Sequence, residues 1–127
     1  MTSELPDAGA PVWPWPDSLD ALRAAPVHHT LLFENPHVRV LDTRIPPGDI
    51  VPVHTHRWPA VQCVLGWSDF VRRDAAGKVL VDSRVGGAAG PPPAVVWCVP
   101  RPPHSLENVG ATEIRMTSVE LKQVELR

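Results

Sequence analysis

Cysteine is scarce: the 127 residues contain two, Cys63 and Cys98. Both sit in apolar runs (VQCVL and VVWCVP), where a free thiol behaves as a small core hydrophobe. Nothing in the pattern resembles a secreted, disulfide-stapled scaffold. Positive charge is not in excess. Lys and Arg number 12 against 14 Asp and Glu, for a net charge of −2, so there is no basic surface for phosphates and nucleic-acid binding is not expected. Long hydrophobic runs are missing too, since stretches such as AVVWCV are far too short to span a bilayer. The first residues, MTSELPDAGAP, carry neither the basic segment nor the apolar segment of a secretory signal. These absences lead to the expectation of a soluble, cytoplasmic protein with no membrane partner, long enough to bury the core of one domain.

Proline is abundant. Sixteen prolines and 8 glycines fall in clusters: PVWPWP, IPPG, GPPP and VPRPP. Proline lacks the N–H that a central strand must donate, so these clusters mark strand ends and stiff turns. Many short strands separated by such punctuation indicate an all-β sandwich or barrel. Residues 1–16 read as a polar, proline-rich tail, and residues 16–26 (PDSLDALRAAP) as the one short helix, capped by Asp17 or Ser18 and ended by Pro26. Strands are then expected over 37–45, 50–56 and 60–65. A hairpin follows over 68–84 with its turn at Asp74 to Gly77. After a GGAAGPPP loop come strands in AVVWCV, HSLENVG and TEIRMTSVELK. The division is a tail and helix over 1–27 and a barrel domain over 28–127.

Two histidines, His54 and His56, stand one residue apart in PPGDIVPVHTHRWPAVQCVLG (46–66). On a strand they project to the same side, about 6.5 to 7 Å apart along the backbone, so both imidazoles can lean onto one ion. A third, His104, begins a later strand that can return to the same barrel mouth. Alone, His-x-His more often marks polar residues at a rim than a metal site. His28, His29 and His37 read as surface or strand-edge residues, and Arg72 and Arg73 as solvated residues beside the hairpin turn.

The order of these parts resembles the cupin superfamily. Its first motif, Gly, five residues, then His-x-His, is met by Gly48, DIVPV, His54 and His56. Its second, a histidine with an asparagine after three intervening residues, is met by His104 and Asn108. The resemblance covers roughly residues 28–122. It implies a small antiparallel β-barrel (cupin or jelly roll) with one short N-terminal helix, a divalent metal ion and a homodimer. Two positions depart from the pattern. The motif's glutamate falls at Ala60 or Val61, neither of which can ligate, and the glycine expected three residues before His104 is Arg101.

The implied ligand set is therefore His54, His56 and His104, with Gln62 as a weak fourth ligand or a hydrogen bonder to bound water or substrate. Trp58 is a candidate wall of the pocket. Three neutral imidazoles leave coordination positions open and the ion's positive charge undiminished, which favours a small anionic or bidentate molecule. Three-histidine sites within the cupins resemble those of thiol and β-diketone dioxygenases. Iron(II) is therefore favoured, with zinc, nickel, manganese or copper also able to accept imidazoles. The alternatives are a non-catalytic cupin that binds a metal or small ligand, and a metal-free pocket.

Overall fold

The computed structural model describes residues 13–85 and 91–122. Most of the expected tail (1–12) and the GGAAG part of the loop (86–90) lie outside the described residues. A 3-10 turn at Asp17–Leu19 leads to a single helical turn, α1 (Ala21–Ala24). Nine strands follow: β1 (His29–Glu34), β2 (Val38–Ile45), β3 (Ile50–His54), β4 (Ala60–Gly66), β5 (Phe70–Asp74), β6 (Val79–Asp82), β7 (Val95–Cys98), β8 (His104–Asn108) and β9 (Ile114–Leu121). They form two antiparallel sheets, β1-β2-β9-β4-β7 and β3-β8-β5-β6. This is the expected all-β jelly roll with a short N-terminal helix. No helix among the described residues is long and apolar enough to cross a membrane.

Strand alternation sets what faces inward. On β2 and β9 the paired inward positions are Ile45 with Ile114, Thr43 with Met116, Leu41 with Ser118, and Arg39 with Glu120. The apolar end of this series joins Ala25, Val51 and Phe70 in the buried core, with Trp67, Leu106 and Met116 packed against it. The polar end, with Arg39 and Glu120 both buried, lies towards the histidines. Each strand therefore has an apolar and a chemical end.

Turns fall where glycine and proline place them. Gly48 takes φ +86° after Pro46 and Pro47, a left-handed conformation that other residues adopt only with strain. Asn108 closes the same corner. Its side-chain amide donates to the carbonyls of Ile45 and Thr112 at 2.8 Å each, and its oxygen accepts from the Gly110 N–H at 3.0 Å. The helix differs from expectation at its start, because Asp20, not Asp17 or Ser18, caps α1 by accepting from the Leu22 N–H at 3.2 Å. Asp17 and Ser18 are instead used up in the preceding 3-10 turn.

Candidate metal centre

The His54–His56 segment is fixed from outside the sheet. Thr55, fully buried between the two histidines, donates its N–H to Leu19 O at 2.7 Å, and its carbonyl accepts from the Ala21 N–H at 3.0 Å. The N-terminal turn thus clamps the residue that separates the imidazoles. His104 reaches them through sheet register: β8 pairs with β3 so that His104 stands directly opposite His54, with ring centroids 4.7 Å apart. These two constraints place the His54 ring beside both His56, 5.2 Å away between centroids, and His104.

A fourth imidazole is present. His29, the first residue of β1, is 5% exposed, so its reading as a surface or strand-edge residue is corrected. Its ring lies 5.1 Å from that of His54 and 5.4 Å from that of His56. One nitrogen from each of His29, His54 and His56, each able to serve as a ligand, lies within 4.8 Å of the other two, and His104 is not part of this set. Strand β1 buries His29 alone and exposes the five residues after it, so no alternation in the sequence marks it as inward. His28, also buried, turns elsewhere and bonds Asp49 at 2.9 Å, and His37 is exposed as expected.

All four rings are oriented alike. His29 Nδ1 contacts Ala25 O at 3.0 Å, His54 Nδ1 contacts Pro52 O at 2.8 Å, and His104 Nδ1 contacts Pro102 O at 2.9 Å. His56 Nδ1 contacts the Glu120 carboxylate at 2.7 Å. Each partner is an oxygen that only accepts, so Nδ1 carries the proton in every ring. In a neutral ring this tautomer leaves Nε2 as a bare lone pair. Burial, reinforced by the neighbouring imidazoles, pushes the His29 pKa down to about 4 and that of His54 to about 2. Burial likewise lowers His104 to about 4. These three rings are neutral lone-pair donors at physiological pH.

Behind His56 runs a chain of alternating charge. The buried Glu120 accepts from Arg39 Nε at 2.6 Å through its other oxygen. Arg39 in turn grips both oxygens of Asp20, at 2.9 and 2.8 Å. Glu120 is the direct cross-strand neighbour of Ala60, the position where the first motif expects its glutamate. A carboxylate is therefore supplied one strand over, with one oxygen on His56 and the other on Arg39. Sequence reasoning passed over it. The usable signal was parity: Glu120 continues the inward series Ile114, Met116, Ser118 on β9.

The histidines open into a cavity of about 280 Å³ lined also by Gln62, Arg72, Trp97, Cys98 and Arg101. Gln62 faces it with its side-chain carbonyl accepting from the Cys98 thiol at 3.0 Å. Trp58 lines a recess of about 20 Å³ beside His56 and Glu120, with the Arg39 guanidinium 5.0 Å over its ring. Arg73 is paired with Glu107 at 2.9 Å. Arg72 turns inward, against the expectation of a solvated residue, because it shares the strand face of the core residue Phe70.

No family model and no curated protein matches the chain. Similar solved structures include a cupin domain from Bordetella pertussis Tohama I, 20% identical, with 75% of this chain and 92% of that one covered at a TM-score of 0.55. The polyketide cyclase RemF from Streptomyces resistomycificus is 16% identical, with 85% and 80% covered at a TM-score of 0.50. These likenesses give the chain the cupin fold.

Proposed function

We propose that this cupin-fold chain holds a divalent metal ion on His29, His54, His56 and His104 and works as a non-haem metalloenzyme, dioxygenase-like, on a small anionic or bidentate molecule. The observation that carries the reading is the common orientation of the four rings. Four separate oxygens hold the four Nδ1 atoms, and the neutral rings of His29, His54 and His104 each keep Nε2 as a free lone pair. Lone pairs gathered in one cluster repel unless a cation lies among them, and the candidate ligand nitrogens of His29, His54 and His56 lie within 4.8 Å of one another. The donor set therefore fits an imidazole-preferring metal: iron(II) first, with zinc, nickel, manganese and copper as the other candidates.

A bound ion would supply Lewis acidity, and with iron a route to oxygen chemistry. The chain's own groups do the rest. Glu120 fixes the tautomer and angle of His56, and Arg39 and Asp20 hold Glu120 in place. Gln62, already accepting from Cys98, keeps its amide N–H groups for a bound water or substrate, which makes it a hydrogen bonder and leaves the fourth ligand position to His29.

The test is elemental analysis of untagged protein beside the His29→Ala and His54→Ala/His104→Ala variants, followed by oxygen-consumption screening with diketones, thiols and catechols. The expected result is about one ion per chain in the parent, lost in the double variant and weakened in the single one. An ion without turnover of any substrate class supports the non-catalytic binding reading. No ion even after anaerobic iron(II) reconstitution refutes the metal centre.

A further inference from the structure

Among the described residues, the cavity is lined by two arginines and by no carboxylate. Arg72 sits on β5 opposite Leu106 of β8, with His104 two residues along on the same face, a diagonal neighbour at roughly 7–8 Å between backbone positions. The Arg72 Nε is buried and has no hydrogen-bond partner among the described residues, and its guanidinium lies 5.4 Å over the Phe70 ring. Arg101, exposed at the start of the loop into β8, lines the same cavity. No Asp or Glu is among the described residues that line it. A half-buried guanidinium with an unused N–H, next to a second one, is unfavourable in an empty pocket and favourable around an oxyanion.

From these observations we infer that Arg72 and Arg101 form an oxyanion-binding subsite, and that the ligand is a small carboxylate whose anionic end lies between them. The inference rests on the metal-centre reading only for where the ligand's other end goes. Arg72 presents a planar fork that can take both oxygens of a carboxylate. Arg101, at the rim, adds charge and draws the anion in. The pattern also accounts for Arg101 standing where the second motif expects glycine, since a long cationic side chain is placed at the mouth. Burial and the nearby Arg101 push the Arg72 pKa down to about 10, which still leaves it charged at neutral pH. The cavity volume of about 280 Å³ limits the ligand to a small molecule.

The experiment is calorimetric titration of the full chain with malonate and with its neutral counterpart malonamide. The parent is compared with Arg72→Gln, Arg72→Lys and Arg101→Gln, and each protein is titrated separately with cobalt(II), read from its visible spectrum. Malonate is expected to bind at least tenfold more tightly than malonamide. Arg72→Gln should weaken malonate by about 10- to 100-fold, the loss of one charge-assisted pair, with Arg72→Lys and Arg101→Gln less affected. Cobalt(II) binding should be unchanged in all three. Loss of malonate selectivity in the arginine variants in a parent that takes up no cobalt(II) supports the anion subsite while refuting the metal centre. Malonate affinity that is indifferent to all three substitutions, with cobalt(II) bound normally, overturns the subsite and leaves the metal centre standing.

Discussion

Replacing Glu120 with Gln tests the claim that the site is held from behind. Glu120 is fully buried and bonds Arg39 with one oxygen and His56 with the other. Glutamine keeps the shape but loses the charge, and it offers one acceptor where two are needed. Either Arg39 Nε or His56 Nδ1 then meets an N–H. Breaking a buried ion pair by removing one partner costs about 3–5 kcal/mol. The lower end, about 3 kcal/mol, applies because Arg39 keeps both oxygens of Asp20. With an unfolding entropy of about 2.1 cal/mol/K per residue, 127 residues give about 0.27 kcal/mol/K, and Tm should fall by about 11 °C. The second effect is on tautomer. If the glutamine turns its amide towards His56, the imidazole must move its proton to Nε2, and cobalt(II) affinity should drop about 10- to 100-fold. The assays are thermal unfolding by circular dichroism and cobalt(II) titration at a temperature where the variant is folded. A Tm within about 2 °C of the parent refutes the buried-pair energetics. A large Tm loss with unchanged cobalt(II) affinity refutes the tautomer argument by itself.

Acid should destabilise the metal-free protein. His29 and His104 in the folded chain have pKa values near 4 and His54 near 2, all below the unfolded value of about 6.5. Between about pH 6.5 and 4 the unfolded chain binds the additional protons, so stability is flat above that window and falls as pH drops through it, by up to about 1.4 kcal/mol per pH unit for each ring. Urea midpoints of chelator-treated protein at pH 7.5, 6 and 5 measure this, and equal midpoints at 7.5 and 5 contradict the burial of the rings. Asn108→Ala removes two donated bonds and one accepted bond at the Gly48 corner and should cost about 3 kcal/mol. Asn108→Asp should fail to restore it, because the two donors are gone; full recovery of Tm by Asp would show that the donors do not matter.

Eight of the nine strands were legible because proline and glycine interrupt the chain at almost every sheet edge; β1 (His29–Glu34), largely exposed, was not among those expected. His54, His56 and His104 were legible for a related reason: same-side spacing on one strand and the start of another. His29 was not, because its burial comes from the Ala25 carbonyl and from rings far along the chain, while its own strand is an exposed edge carrying Leu31, Leu32 and Phe33 outward. Arg39 and Glu120 were half legible. Each continues an inward parity series, but a charged residue at the end of such a series looks like the point where the strand leaves the core. Only the cross-strand register of β2 with β9 reveals that the two neutralise each other inside. The inward turn of Arg72 was hidden the same way, behind a neighbouring arginine that pairs with Glu107.

The N-terminal turn has a role beyond packing. Leu19 and Ala21 hold Thr55 between two of the imidazoles, Asp20 anchors the arginine behind His56, and Ala25 orients His29. Ordering of the imidazoles and docking of residues 19–25 are therefore one equilibrium, and linkage makes the effect reciprocal. An ion held by the rings would also tighten the first turn onto the barrel, by the same free energy with which that turn would strengthen the ion's hold. The segment that precedes the barrel in sequence is, thermodynamically, one unit with the histidine cluster.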